Sequence, residues 1–477
     1  TDLFNKGGLV YSRRVGAEGQ LFTATKFSGR TASSTGIGVF QAFARDTTDG
    51  SNALTSYKVT VADQNLPNNG FITLLSTNTL RSEDGRDAYV QGTEYSFRNK
   101  TNSWSLTGNA ARNTMAQGDT SSHDEGYRWG MNVSKTSGQL RGSLGHYRES
   151  ENYNPNDLGY LAAPNEIVTS GNLEYGIYQP FGAFNRMWWS LDAEINHLFA
   201  PRAYSNTSWG AEWAAVSKTF WFNKFELEGQ PRSGKDWFAS RLEAIPFETP
   251  RWTSAEFVTS TDYRRAFALD GFIKRRWRPE TPDWNEFFLR LAPRFRFSDR
   301  LSADYVWSWQ VRQNERGWAS LEEDAFGGPV SLFGRRENTS HTHVLNASYI
   351  FNPTSSLSAR IRHYWSVVDY HQFYELNADG SLNAYTPFNA LLRDEATGTS
   401  SRDLNYNAWS VDLVYRWIFS PGSELSVVWK NTLNEAGTNL PEGYWNNWQN
   451  MLEEGFTNSV SIRALYFLDY SLIQNRR

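Results

Sequence analysis

The sequence contains no cysteine, no long apolar run and no basic tail among its 477 residues. Without cysteine, the chain has neither a disulfide framework nor a thiolate-ligated metal site. No segment approaches the roughly 18 consecutive apolar residues that a spanning helix requires, which excludes a helical membrane protein. The formal net charge is -4, and the charges are spread along the chain, so we expect no nucleic acid partner. The opening letters TDLFNKGGLVYSRR lack the pattern of a signal peptide, which predicts a mature form or a fragment whose start lies elsewhere.

Aromatic residues are abundant for so polar a chain, which has 20 Trp, 23 Tyr and 30 Phe and a mean hydropathy of -0.60. Many of them stand at every second position, most clearly in NAWSVDLVYRWIFS over 407–420. A strand points successive side chains to opposite faces, so this segment predicts one apolar face and one face carrying Asp412 and Arg416. Alternation alone also fits a half-buried sheet in a soluble sandwich. Similar runs occur over 186–198, 284–297, 301–313, 357–368 and 459–472.

Three features favour a membrane sheet over a soluble sandwich. Many runs reach 12 to 16 residues, whereas ordinary strands have about 5–6 residues. Short turns alternate with long polar connections, and aromatic residues gather near the ends of the apolar faces. The pattern predicts an all-β fold, a transmembrane antiparallel up-and-down β-barrel of about 22 strands (range about 18–22), with short periplasmic turns and long extracellular loops.

The barrel is predicted to span the whole chain as one domain. Residues 1–7 form a periplasmic lead-in, the first strand covers 8–15 and the last covers 457–472. The long extracellular loops are predicted near 151–165, 231–249, 314–328, 371–403 and 432–456. Because so wide a barrel cannot fill its lumen with strand side chains, we expect folded-in loops, a plug or water inside it.

The two faces of the strands supply the candidate site residues. We expect the apolar face to meet outer-membrane lipid, through Trp409, Tyr415, Trp417, Trp307 and Trp309. We expect the polar face to line the lumen, with charges at Arg290, Arg294, Arg296, Arg312, Arg360, Arg362, Arg416, Arg463, Asp304 and Asp412. The wall either neutralises itself through cross-strand pairs or forms an arginine-rich stripe that favours anionic solutes or seats an acidic plug.

Several phrases are similar to a family of largely uncharacterised bacterial proteins. These are LVYSRRVG (9–16), ATKFSGRT (24–31), SLFGRRENTSHTHVLNASYIFNPTSSLSARIR (331–362) and LVYRWIFSPGSELSVVW (413–429). In the family that the chain resembles, a carbohydrate-binding-like β-sandwich precedes a C-terminal outer-membrane β-barrel. The resemblance covers the chain from residue 9 onward and includes no sandwich, so any carbohydrate link would run through the absent upstream domain. The family brings no catalytic residues, and Ala24 and Thr25 depart from its usual glycine and alanine.

The remaining motifs indicate little chemistry. His341 and His343 share a strand face and form a possible metal pair, but no third ligand is fixed by the sequence, so we predict no metal site and no cofactor. Acidic segments at 321–328 and 376–384 lack the spacing of a calcium loop. Tyr444, Trp445, Trp448 and Met451 stand at nearly helical spacing and predict a short amphipathic helix that either caps the barrel mouth or contacts a partner.

Two functions remain open at this point. The first is an outer-membrane pore or plugged transport channel for polar solutes in a Gram-negative (diderm) bacterium. The second is a non-conducting scaffold barrel that docks other outer-membrane or surface proteins in a multi-protein complex. We predict no enzymatic activity, because no catalytic grouping is legible in the sequence.

Overall fold

The computed structural model describes residues 4, 7–17, 19–45, 53–82, 86–117 and 123–467. The chain is nearly all-β, and its main sheet has 22 antiparallel strands among these residues. The predicted fold class is confirmed to this level, whereas closure of the sheet into a barrel stays a prediction. Two compact units divide the chain: Thr1–Ile177 with Trp189–Gly210, and Tyr178–Trp188 with Ala211–Arg477.

In the first unit, each strand from β1 to β9 pairs with the next one along the chain. Alternating apolar and polar residues favour this extended pairing. The boundaries of the units fall within β10 and β11. The strands are β1 (Gln20–Arg30), β2 (Thr35–Arg45), β3 (Leu54–Leu66), β4 (Gly70–Arg81), β5 (Arg86–Arg98), β6 (Trp104–Gln117), β7 (His123–Lys135), β8 (Leu140–Glu149), β9 (Glu166–Ile177), β10 (Phe184–His197) and β11 (Tyr204–Ser217).

The predicted strand over 8–15 is wrong. Gly7 and Gly8 have positive φ angles of 59° and 65°, a conformation that breaks an extended strand. A short 3-10 turn, Ser12–Arg14, follows them. The backbone of this segment bonds to a loop instead of to a sheet neighbour, since the Tyr11 N–H donates to the Leu158 carbonyl over 2.6 Å. Most of the predicted lead-in at 1–7 lies outside the described residues.

The second unit continues the antiparallel order and carries two helices, α1 (Phe388–Leu392) and α2 (Tyr444–Leu452). A separate two-stranded ribbon, β13 with β14, lies in the long connection after β12. The strands are β12 (Phe222–Gln230), β13 (Gly234–Asp236), β14 (Phe247–Thr249), β15 (Trp252–Ser260), β16 (Phe267–Trp277), β17 (Asn285–Arg296), β18 (Leu301–Glu323), β19 (Pro329–Asn352), β20 (Ser355–Leu376), β21 (Leu382–Asn383), β22 (Leu404–Ser420), β23 (Ser423–Gly437) and β24 (Thr457–Leu465).

Three strands run further than the sequence predicts. β18 continues through most of the predicted loop at 314–328, up to Glu323, and pairs there with β19, which leaves a turn of residues 324–328. β20 extends to Leu376 and β23 to Gly437. The physical reason lies in the β-bulges of β18, where the register shifts after Arg312 and again after Trp318. A bulge inserts a residue, so the alternation breaks although the strand continues.

Other details of the predicted strands differ only slightly. The number of strands is 22, as predicted, only because the short strand β21 is counted. The predicted strand at 8–15 is absent, and β21 was not predicted. The predicted last strand, 457–472, is β24 up to Leu465, and its residues Leu468, Asp469, Ser471 and Leu472 lie outside the described ranges. No helix in the described part of the chain is long and apolar enough to cross a membrane.

Candidate functional site

In the second unit, the registers place all ten predicted lumenal charges on one face of the sheet, the polar face. One row of directly opposed residues crosses six strands of this face. It consists of Arg294, Asp304, Asn346, Arg360, Asp412 and Lys430. Asp304 accepts a hydrogen bond from Asn346 Nδ2 at 2.8 Å, and Asp412 lies 3.4 Å from Lys430 Nζ. The row therefore alternates in sign along most of its length.

A longer ion-pair network occupies the same face nearer the long loops. Lys224 Nζ lies 2.6 Å from Glu226 and 2.8 Å from Glu256, and Lys274 Nζ lies 2.5 Å from Glu228. Partly buried pairs of this kind are screened less by salt than exposed ones. The further members are Glu212, Arg276, Glu286, Arg312, Glu315 and Arg336. Only Arg312 of this network was among the predicted site residues, because the pairing of β12, β15 and β16 cannot be read from spacing.

Some predicted arginines take no part in an ion pair. Within the described residues, Arg290, Arg360 and Arg362 have neither a carboxylate within ion-pair distance nor a hydrogen-bond partner for the guanidinium. They lie on β17 and β20, which β18 and β19 separate. Among the other predicted arginines, Arg416 pairs with Glu424 at 2.5 Å and Arg294 lies 4.0 Å from Asp270. Arg296 and Arg463 are exposed, as Arg360 and Arg362 are, and also form no ion pair with a described residue. The wall thus combines a neutralised network with a small unpaired cationic group.

In the first unit, residues 7–17 form a segment that we call the N-terminal strap. Leu9 is 3% exposed and belongs to one buried cluster with Ala42, Val59 and Val90 of the sheet. A Cβ added at Gly92 would lie 2.4 Å from Leu9 Cδ1, so glycine permits the close approach of strap and strand. The Arg128 guanidinium donates to the Gly7 carbonyl. The strap therefore covers one face of β2–β7, which we call the covered face.

The loop after β8 completes this covering layer. Asp157 accepts hydrogen bonds from Arg81 at 2.9 Å and from Arg86 at 3.0 Å, which ties the loop to β4 and β5. Tyr153 and Leu158 of the loop are buried in the same cluster as Leu9. Sequence reasoning missed the strap, because it assigned residues 8–15 to a strand.

The opposite face, the apolar face, is exposed over much of each unit. In the first unit it presents Leu74, Trp129, Met131, Leu144 and Leu173. In the second unit, Phe225, Phe257 and Ile273 form one exposed row, and Trp429, Val460 and Ile462 are exposed nearer the end of the sheet. Contiguous exposed apolar surface of this extent marks an interaction with lipid or with protein.

All five predicted lipid-facing aromatics lie on the apolar face of the second unit. Trp417 is exposed beside Phe419, with ring centroids 5.6 Å apart. Trp309 stacks with His341 at a centroid distance of 6.4 Å, and the Tyr415 hydroxyl is 3.3 Å from Ser355. Trp307 and Trp409 instead line a cavity that helix α2 partly covers.

Helix α2 contains the four residues of the predicted amphipathic segment and lies against the apolar face of its own sheet. Met451 is fully buried, whereas Trp445 is largely exposed. The carboxamides of Asn447 and Asn407 bond to each other in both directions, at 2.9 and 2.7 Å, with both residues buried.

Three histidines lie beside this helix on the apolar face. His341 and His343 have nearly parallel rings with centroids 6.2 Å apart, and His363 is buried. Each ring nitrogen of His363 has a partner, with Nδ1 2.9 Å from the Tyr444 hydroxyl and Nε2 3.2 Å from Asn407 Oδ1. The sequence places His341 and His343 on one strand face, but only the strand registers bring His363 beside them.

These histidines are not arranged as a metal centre. Within the described residues, no group of three His, Asp or Glu side chains is placed to share a metal ion. His343 Nδ1 is 2.6 Å from the Tyr305 hydroxyl, and His343 Nε2 is buried without a hydrogen-bond partner. The cavity beside them has a volume of about 610 Å³.

The two acidic loop segments use their carboxylates to close turns. The Gly328 and Phe326 N–H groups donate to Asp324 at 2.8 Å each, which lowers the pKa of that carboxyl. Asp379 accepts from the Ser381 hydroxyl at 2.6 Å and from its N–H at 2.9 Å, and its pKa is also lowered. Local hydrogen bonds of this type stabilise turns.

Comparison with known proteins now assigns the family. A family model described as "Domain of unknown function (DUF5916)" matches residues 17–477. The chain belongs to this family. No curated protein matches the sequence of this DUF5916 chain. That a β-sandwich domain precedes the barrel in this family stays a prediction.

Two solved structures are distantly similar to the DUF5916 chain. The FrpB iron transporter of Neisseria meningitidis (F3-3 variant) shares 11% identity at a TM-score of 0.40, with 88% of this chain and 70% of that chain covered. The outer membrane transporter YddB of Escherichia coli shares 9% identity at a TM-score of 0.40, with 86% of this chain and 62% of that chain covered.

Proposed function

We propose that the protein is an integral outer-membrane β-barrel that acts as a plugged transport channel for polar solutes. The observation that supports it most directly is the exposed apolar face, which recurs in both units opposite a covered or charged face. In lipid, every backbone polar group must pair within the protein, and a closed antiparallel sheet achieves this. The apolar face then meets acyl chains, and the polar face meets water in the lumen.

The polar face suits hydrated, charged solutes. A lumen lined by alternating carboxylates and cations keeps water in the channel without a strong preference for one sign. Arg290, Arg360 and Arg362 add local positive charge without a paired carboxylate, as described above. We therefore propose a weak preference for anionic solutes in this part of the channel.

The N-terminal strap supports a plugged channel over an open one. With the covered face on the lumenal side, the strap and the loop after β8 occupy lumenal space in the first unit. Leu9 and Tyr153 are buried there, so this layer is packed rather than loosely placed. Passage of a solute then requires either a route beside the strap or its displacement.

Single-channel recording on the full chain in a planar lipid bilayer tests the proposal. We expect small conductance that rises when the strap is displaced by the substitutions described in the Discussion. A protein that inserts into the bilayer but stays silent in both forms would refute the transport function. A protein that partitions into the aqueous phase and never inserts would refute the membrane placement itself.

A scaffold barrel is the second candidate, favoured by apolar side chains on the long loops. Phe326 at the β18–β19 turn is 97% exposed, and Tyr385 and Leu391 are 91% and 71% exposed in the connection after β20. Aromatic residues such as Phe and Tyr are enriched in protein–protein interfaces. Extraction in mild detergent distinguishes the two candidates: a scaffold brings a stoichiometric partner, which a triple substitution of these residues to Ser removes.

A further inference from the structure

Helix α2 occupies an unusual place on the apolar face. In the proposed barrel this face meets acyl chains, yet the helix holds there a buried polar cluster of Asn407, Asn447 and His363. Such a cluster fixes the helix at one position, because any displacement leaves buried amide groups without partners. The helix therefore forms a fixed wall, and the space beside it is a cavity that opens on the apolar face.

The lining of this cavity is almost entirely aromatic or aliphatic. Trp307, Leu345, Ile361, Trp409, Trp445 and Trp448 surround it, together with Tyr305, Tyr444 and the three histidines. The volume of about 610 Å³ falls within the range of about 300–1,000 Å³ typical of ligand pockets. None of the lining residues is an acid, a lysine or an arginine, so the cavity offers nothing to balance an ionic group.

Two hydrogen bonds are made within the lining of the cavity. The Tyr305 hydroxyl contacts His343, and the Tyr444 hydroxyl contacts His363. His343 Nε2 is buried without a hydrogen-bond partner, but most of the lining surface is aromatic or aliphatic carbon. A hydrocarbon therefore fits the lining better than a sugar or a peptide. The cavity also opens on the apolar face, where acyl chains are the surrounding solvent.

From this geometry we infer that the cavity beside α2 holds one acyl chain of a membrane lipid. The inference rests on the proposed membrane placement of the apolar face. An acyl chain enters sideways from the bilayer and packs between Trp448 of the helix and the wall formed by Ile361 and Trp409. Aromatic walls on two sides hold the acyl chain in place and prevent its exchange with bulk lipid.

A photoactivatable lipid tests this inference on the full chain. The protein is reconstituted into phosphatidylcholine vesicles that contain a phosphatidylcholine with a diazirine in one acyl chain. After illumination, labelled peptides are quantified by mass spectrometry. We expect peptides of α2 and of 355–376 to carry several-fold more label than the peptide of β15, whose Phe257 lies on the same face away from the cavity.

Two cavity-filling variants and one control complete the test. Ile361→Trp and Leu345→Trp fill the cavity from neighbouring strands and should each abolish the excess label at α2. Ile273→Trp adds the same bulk to the apolar face outside the cavity and should leave the excess unchanged. Resistance of each variant to unfolding by heat in dodecyl sulfate shows that it is folded. If one filling variant does not fold, the other one still tests the inference.

The outcomes separate this inference from the proposed function. Equal labelling of α2 and β15, or an excess that persists in both filling variants, overturns the acyl-chain site while the membrane placement stands. Absence of label from every apolar-face peptide overturns the membrane placement as well. Excess label at α2 that both filling variants remove supports the inference.

Discussion

At the residue scale, the reciprocal amide pair of Asn407 and Asn447 is the most sensitive point under α2. Substituting either residue by Ala leaves a buried amide without its partner, at a cost of about 1–3 kcal/mol. We expect each single variant to lower the unfolding temperature in detergent, and the double variant to lose less than the sum of the two losses. Asn446→Ala, an exposed position on the same helix, is the control and should have no effect. Additive losses would show that the two amides act independently.

Asp262 gives a pH-dependent prediction in the turn between β15 and β16. Arg264 donates to its carboxylate from Nε and Nη2, each over 2.8 Å. These bonds lower the pKa of Asp262 from its ordinary 3.8 to about 2. Because the folded pKa is depressed, the stabilisation is full above pH 3.8 and is lost as the pH falls toward about 2.

The measurement is the rate of unfolding of the protein in detergent between pH 5 and pH 2. The rate of the wild type should rise on acidification more steeply than that of Asp262→Asn, which carries no titrating group at this position. Asp299→Asn, an exposed substitution in another turn, controls for general loss of negative charge. Parallel pH profiles for the wild type and Asp262→Asn would contradict the prediction.

At the element scale, the N-terminal strap is the part most open to displacement. Gly92→Val should push Leu9 away from β5, and Leu9→Asp should expel the strap by placing a charge in an apolar cluster. Both variants should raise conductance and speed cleavage by trypsin after Arg13 and Arg14, because the displaced strap backbone can enter the protease. Gly29→Val is the control, since nothing lies within 4 Å of a Cβ added there. Unchanged cleavage and conductance in both variants would show that the strap does not occlude the channel.

The strands also show how well the alternation of apolar and polar residues predicts strand bounds. Alternation predicts β22 within a residue of its observed bounds, because its pairing keeps one register from Leu404 to Ile418 and shifts only at the last turn. It fails for β18, where bulges shift which residues share a face, and the predicted strand ends where the first bulge begins. It also fails for residues 8–15, because this segment packs on the face of the sheet and does not pair within it.

The candidate site was less predictable for the same physical reason. Helical spacing indicates α2, but the surface on which it packs depends on Asn407, whose role appears only once β20 and β22 are paired. The placement of charged and aromatic residues on opposite faces follows from the alternation of side chains along a strand alone. The ion pairs between Lys224, Glu256 and Lys274 require three strands in register, and no local pattern contains that information.

At the scale of the whole molecule, the two faces make opposite demands on solvent. Exposed aromatic and aliphatic side chains would promote aggregation in water, whereas a network of charges would be costly in hydrocarbon. One sheet satisfies both demands when it separates a lipid phase from an aqueous lumen. The arginines of the polar face that form no ion pair then add positive charge to the lumen, and Asp412, which opposes Arg360 on the next strand, offsets only part of it.

Ion selectivity follows from this arrangement and can be measured on the channel opened by Gly92→Val. Replacing Arg290, Arg360 and Arg362 by Gln removes three unpaired positive charges from the lumen, so the reversal potential in a salt gradient should shift toward cation preference. The shift should shrink as ionic strength rises, because salt screens lumenal charge over about 8 Å at physiological concentration. Arg300→Gln, an exposed turn position, removes a charge from outside the lumen and should leave the reversal potential unchanged. An equal shift from Arg300→Gln, or none from the triple variant, would place the polar face away from the permeation path.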